Sequence, residues 1–182
     1  MKDDKQTQSK PFKIDDKIID FGQVYQIFKI EKRKSAEDKK EKVIHFKPYY
    51  KTKQNKDLVC SIPVKNIGLT HIRKPISKNK MKQLLKKLSK KEDKKRPVNT
   101  TRAKEKLRLN EPEATIQILK RLWLDKQDES TNFSRSKQNL LDLSMKQLVE
   151  ELAFVFGISA ARARKKIKKA LKKGSNNENS VH

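Results

Sequence analysis

Close to Pro75 the apolar residues of this chain change their period. Before it they recur at every second position; after it they recur at every third or fourth. Alternation belongs to strands and the longer period to helices. Strands first and helices second predict an α+β fold built as two small modules, not one bundle or one sandwich.

The β segment spans residues 12–74. Ile18 and Ile19 open it and Gly22 punctuates it. Val24, Gln26, Phe28 and Ile30 then fall on one face, with Tyr25, Ile27 and Lys29 on the other. The charged run 31–42 reads as a polar, turn-like stretch. Strand character resumes at Val43–Phe46, and again where Leu58, Cys60 and Ile62 alternate with Val59 and Ser61 until Pro63 ends the run. Short strands with polar connections predict a small Tudor-like barrel or a strongly bent sheet.

Beyond Pro75, Ser77 is placed to cap a helix carrying Met81, Leu84, Leu85 and Leu88. The charge-dense run 86–96 reads as a link, so residues 75–96 are expected to form a helix and a basic linker. Residues 97–173 read as all helical. Asn99 caps a short helix through Leu109. Asn110 is expected to cap the next, with Pro112 in its first turn and Glu113 where a capping box places an acid. Ile116, Leu119, Leu122 and Trp123 give that helix an apolar face, and the lone Trp is assigned to the core. Ser134 opens a longer helix with Leu141, Met145, Leu148, Leu152, Val155 and Phe156 in heptad-like order; Gly157 stops it. Ser159 caps a last helix, 160–172. Residues 1–11 and 174–182 are polar and read as disordered tails.

Charge narrows the partners. The 182 residues hold 47 Lys and Arg against 22 Asp and Glu, a net charge of +25. An excess of this size draws the chain to polyanions, and each phosphate neutralised releases counterions. The last helix concentrates it: Arg162, Arg164, Lys165, Lys166, Lys168, Lys169, Lys172 and Lys173 follow one another with no acid among them. Like charges repel at helical spacings, which favours a basic face kept for phosphates over an inert solvated one. At the start of the short helix, Asn99, Thr100, Thr101, Arg102 and Lys106 combine hydroxyls and cations with free backbone N–H groups, a weaker phosphate-binding pattern.

Other chemistry lacks residues to perform it. The sequence has no Gly-rich phosphate loop, no His-Glu metal motif and no nucleophile motif, so neither an enzyme nor a cofactor is expected. A single cysteine, Cys60, forms no intrachain disulfide, and three scattered His match no zinc spacing. No apolar run approaches a membrane span, and residues 1–10 lack the apolar core of a signal peptide. A cytoplasmic protein with no membrane partner is expected.

The order of the pieces resembles the CarD family of bacterial transcription regulators, over roughly residues 12–173. The carrying residues are Leu58-Val59-Cys60-Ser61-Ile62-Pro63-Val64, Gly68-Leu69, Ile72-Arg73, the Ser77 helix, Asn99-Thr100-Thr101-Arg102, Ile118 to Trp123, and Gln147 to Ala153. The resemblance implies a Tudor-like N-terminal module that binds the RNA polymerase β subunit. It also implies a helical module on promoter DNA at the upstream edge of the bubble. Arg33, Ser61, Ile62 and Pro63 would face polymerase. Asn99, Thr100, Thr101, Arg102 and Lys106 would face DNA, joined by Arg162, Arg164, Lys165, Lys168 and Lys169.

There are departures. Asp20-Phe21-Gly22 is shorter than the family's His-containing turn, and Ser61 stands where a basic residue often touches polymerase. Thr100 stands where many members carry a Trp that wedges into the minor groove, so that wedge is expected to be absent. The reading is a monomeric, non-catalytic adaptor, nucleoid-associated through polymerase. The alternatives are a basic architectural or RNA-associated protein without a polymerase partner, and an interaction-only adaptor.

Overall fold

A hairpin turns at Phe21 and Gly22, both at positive φ (45° and 75°). It joins β1 (Lys17–Asp20) to β2 (Gln23–Lys34). β3 (Lys40–Pro48) and β4 (Cys60–Pro63) complete an antiparallel sheet in the order β1-β2-β3-β4. A 3-10 turn, Val64–Leu69, follows. Five helices then run in sequence: α1 (Lys78–Leu88), α2 (Thr100–Arg108), α3 (Pro112–Gln127), α4 (Arg135–Phe156) and α5 (Ala160–Ser175). The computed structural model describes residues 12–34, 40–91, 98–128 and 132–175. The tail 1–11, the end of the tail from 176 and residues 92–97 of the expected link lie outside them.

The fold is α+β, a sheet followed by helices. The expected barrel is not closed: β1 and β4 stand at opposite edges and do not pair. The 31–42 stretch is also not a simple turn. β2 runs on to Lys34 and β3 begins at Lys40, with Arg33 opposite Glu41 in the ladder. That opposite-charge pair, and the gathering of Lys29, Arg33 and His45 around Glu31, let a charged sequence remain a strand.

An irregularity also changes the facing along β2. Ile27 lies opposite Phe46 and Lys29 opposite His45, so Phe28 is the extra residue of a bulge. The bulge keeps Ile30 on the same side as Tyr25 and Ile27, against strict alternation. That side carries the sheet's core of Ile18, Tyr25, Ile27, Ile44, Phe46 and Ile67, and Phe12, Ile30, Cys60, Ile62 and Ile72 pack on it.

The helical core is larger and is built around α4. Leu141, Met145, Leu148 and Leu152 meet Leu119 and Leu122 of α3, Leu107 of α2, and Ala163, Ile167 and Leu171 of α5. Met81, Leu84 and Leu88 of α1 belong to the same cluster, so α1 is part of this body rather than part of a link. Trp123 packs partly buried against it. The sequence caps are realised at Ser77, Asn99, Ser134 and Ser159, each accepting from the backbone N–H three residues on. Gly157 ends α4 in the left-handed region (φ 63°). α5 runs past Lys172 to Ser175. Gly174 is buried there, and a Cβ on it would lie 2.6 Å from the Leu88 carbonyl oxygen.

Candidate functional site

Four polar residues fix the sheet to the helices. Asn110, expected as a helix cap, does something else: Glu111 is the cap residue of α3, and Asn110 sits at φ 56°. Asn tolerates this left-handed conformation better than most residues. Its amide nitrogen donates to Ile19 O (3.1 Å) and His71 O (2.9 Å), and its amide oxygen accepts from Gly22 N–H (3.0 Å). Arg73 forms a bidentate pair with Glu151, Nη1–Oε1 2.6 Å and Nη2–Oε2 2.7 Å, and its Nε donates to Asn110 O. The Glu151 side chain is 3% exposed and also accepts from Ile76 N–H. Glu150 accepts from Val24 N–H at 2.8 Å, and burial raises its pKa. At Gly22 a Cβ would lie 2.4 Å from Gln147 Cα, so only glycine lets the hairpin approach α4 this closely. These four side chains are all hydrogen-bonded across the seam, which holds the two halves at one angle.

Away from the seam, the residues expected to face polymerase divide. In the ladder Ser61 lies opposite His45 and Pro63 opposite Val43, while Ile62 lies opposite Ile44. Ser61 and Pro63 therefore share the sheet face that carries Glu31 and Arg33. Ile62 packs partly buried on the core side of the sheet. Arg33 is exposed but bound to Glu31, which also binds Lys29 and lies 3.1 Å from His45 Nε2. The Lys29 ammonium, helped by His45 and Arg33, lowers the Glu31 pKa to about 2. β4 pairs only with β3, so its other edge is open among the described residues. Exposed apolar residues flank that edge: Leu58, Val59 (59% exposed), Val64 and Leu69 (84%).

The residues expected to face DNA also divide. Asn99, Arg102 and Lys106 line a cleft of about 310 Å³ between α2 and α3, with Arg121 on its far wall. Thr100 and Thr101 instead line a depression between α2 and α4, beside Lys104, Ser136 and Asn139. Arg162, Arg164, Lys165, Lys168 and Lys169 are all exposed on α5. α2 packs on α3 and α4, while α5 packs on α1, α3 and α4, so the two basic regions are separate parts of the body. Among the described residues, no acid pairs with any cation of α5. Lys166 and Lys169 turn toward α1, with Lys173, where α1 contributes lysines that nothing in the sequence pattern singles out. Arg121 is equally hard to foresee: it stands in α3, far in sequence from Arg102.

No three His, Cys, Asp or Glu side chains gather into a metal-binding group among the described residues. Burial, with Asp20 nearby, raises the Cys60 thiol pKa, which works against a thiolate nucleophile. No described helix is long and apolar enough to cross a membrane. No protein-family model and no curated protein sequence matches this chain.

Proposed function

We propose that this chain is a CarD-like transcription adaptor, which binds the RNA polymerase β subunit through its sheet and promoter DNA through its helices, without catalysis. The observation that carries the reading is the pairing of two unlike surfaces on one chain, joined by the hydrogen-bonded seam. One is an open strand edge flanked by apolar side chains, a surface suited to a protein strand or lobe. The other is a helix whose exposed cations lack acidic partners among the described residues, a surface suited to a phosphate backbone. The seam at Asn110 and Arg73–Glu151 holds the two at a fixed orientation, as an adaptor positioned between polymerase and DNA requires.

In this reading Arg33, Ser61, Pro63 and the β4 edge meet the β subunit, and the open sheet is the counterpart of the family's Tudor-like module. Arg164, Lys165 and Lys168 contact DNA phosphates. The Asn99, Arg102, Lys106 and Arg121 cleft takes a further phosphate at the start of α2, where free N–H groups reinforce the cations. Sequence preference is weak because these contacts reach the backbone and not base edges. The chain works in the cytoplasm, at the nucleoid through polymerase.

The test is binding of the full chain to a purified β-subunit lobe, and separately to a promoter fragment. The reading requires Arg33→Glu with Val59→Glu to lose the lobe and keep DNA, and replacement of Arg164, Lys165 and Lys168 by Gln to do the reverse. A chain that binds DNA but no polymerase component is instead the architectural protein.

A further inference from the structure

α1 and α5 lie side by side and point the same way. Gly174 abuts the Leu88 carbonyl at one end, and Phe156 lies between Lys78 and Lys166 at the other. Between them runs a shallow groove of about 420 Å³. Its floor is Leu85, Phe156 and Ala170, all partly exposed apolar residues. Lys82 and Lys86 of α1 form one rim, and Lys166, Lys169 and Lys173 of α5 form the other. None of these five lysines has an acidic partner among the described residues.

We propose that this groove docks an acidic amphipathic helix of a partner protein. An apolar floor with a cationic row on each side is the complement of a helix whose apolar stripe has acids on both flanks. The span from Lys166 to Lys173 is about 10 Å along the helix, roughly two turns of a docked helix. A helix seated between two others is ordinary bundle packing, at axis separations of roughly 8–10 Å.

Nucleic acid fits this groove less well. A single strand laid with its bases on the floor presents phosphates to one rim only, and a duplex is too wide to reach the floor. The one aromatic ring there, Phe156, already has the Lys78 and Lys166 ammonium groups 5.8 and 5.3 Å from its centre, so a stacking base has to displace them. Arg164, Lys165 and Lys168 lie around α5 away from the groove, so it does not compete with the proposed DNA surface for those residues.

The experiment uses the full chain and a fluorescent peptide with Leu at helical spacing flanked on both sides by Glu. A second peptide has the same composition, permuted so that no stripe forms. Anisotropy is expected to show the striped peptide binding at least roughly tenfold more tightly than the permuted one. Lys82→Glu with Lys86→Glu is expected to weaken it by a further factor of about ten or more, since like charges then face each other. Those lysines are exposed, so folding is undisturbed; Leu85→Gln tests the floor separately and is expected to weaken the striped peptide alone. Equal binding of the two peptides, or unchanged affinity in the lysine variant, overturns the proposal. So does a labelled oligothymidine that binds in a Lys82- and Lys86-dependent way when the striped peptide does not.

Discussion

The cations of the sheet half and those of α5 stand in opposite circumstances. Around the sheet several have acids of their own: Lys29, Arg33 and His45 share Glu31, Lys65 meets Glu41, Lys74 meets Asp16, and Arg73 is locked to Glu151. Along α5 eight cations are exposed and none has an acid among the described residues. Both regions are basic in sequence, but the sheet half pairs several of its cations with its own acids and α5 pairs none among the described residues. A paired cation completes its own fold; an unpaired row is satisfied by an anion from outside. Substituting a buried paired cation such as Arg73 should therefore change stability, and substituting the unpaired row should change binding.

The largest effect is expected at the seam. Arg73→Met leaves Glu151 buried without a counter-charge and removes the bond to Asn110 O. About 3 kcal/mol of stability should be lost, toward the low end for a broken buried pair because Arg73 itself keeps 23% exposure. Urea unfolding measures it, and adding Glu151→Met should recover part of the loss; a loss that only deepens would contradict the pairing. Asn110→Gly keeps the positive φ but removes three hydrogen bonds, at a cost of about 2 kcal/mol. Asn110→Ala should cost more, since Ala adds strain at φ 56°.

On α5 the expectation reverses. Replacing Arg164, Lys165 and Lys168 by Gln should flatten the dependence of log DNA affinity on log salt by about 0.9 for each phosphate left without its cation. The melting temperature should hold or rise, because like charges at i, i+4 are removed. A fall in stability with an unchanged salt slope would erase the contrast between the two regions. Thr100→Trp should lengthen the lifetime of heparin-resistant open complexes with little change in affinity for closed duplex, because a large aromatic ring can hold an unstacked base step. An unchanged lifetime would remove the start of α2 from the bubble edge.

The smallest effect is expected at Glu31. Its carboxyl is held at about 2 in the folded chain against an ordinary 4.5, so the ionised form favours folding. That contribution is present above pH 4.5 and is lost as pH falls toward 2. Glu31→Gln should unfold with a shallower acid dependence in that window, as measured by chemical denaturation at stepped pH.

Local chemistry was legible in the sequence where one residue decides the geometry. Ser77, Asn99, Ser134 and Ser159 cap as their positions indicate, and Gly157 stops α4, because caps depend on near neighbours. Long-range pairing was not legible. Nothing near residue 110 tells that its amide will meet Gly22 and Ile19 instead of α3's first turn. Arg73 and Glu151 are far apart in the chain, and neither residue's neighbours point to the other. The 31–42 stretch misled because charge suggests a turn, and only the register reveals the acid opposite Arg33. The bulge at Phe28 likewise hides the single apolar face of β2 from a strict alternation. For the candidate site, the exposed row on α5 was visible. Its division into a groove-facing and an outward-facing set depends on where α1 packs.

We propose that one chain holds polymerase with its sheet edge and promoter DNA with its helices. Decay of promoter open complexes after heparin challenge, with purified bacterial polymerase, tests it most directly. The full chain is expected to slow the decay. Arg33→Glu with Val59→Glu, and separately Arg164→Gln with Lys165→Gln and Lys168→Gln, are each expected to abolish the slowing while leaving the other partner bound. Decay at the same rate with and without the chain, or slowing that survives the sheet-edge variant, would contradict it.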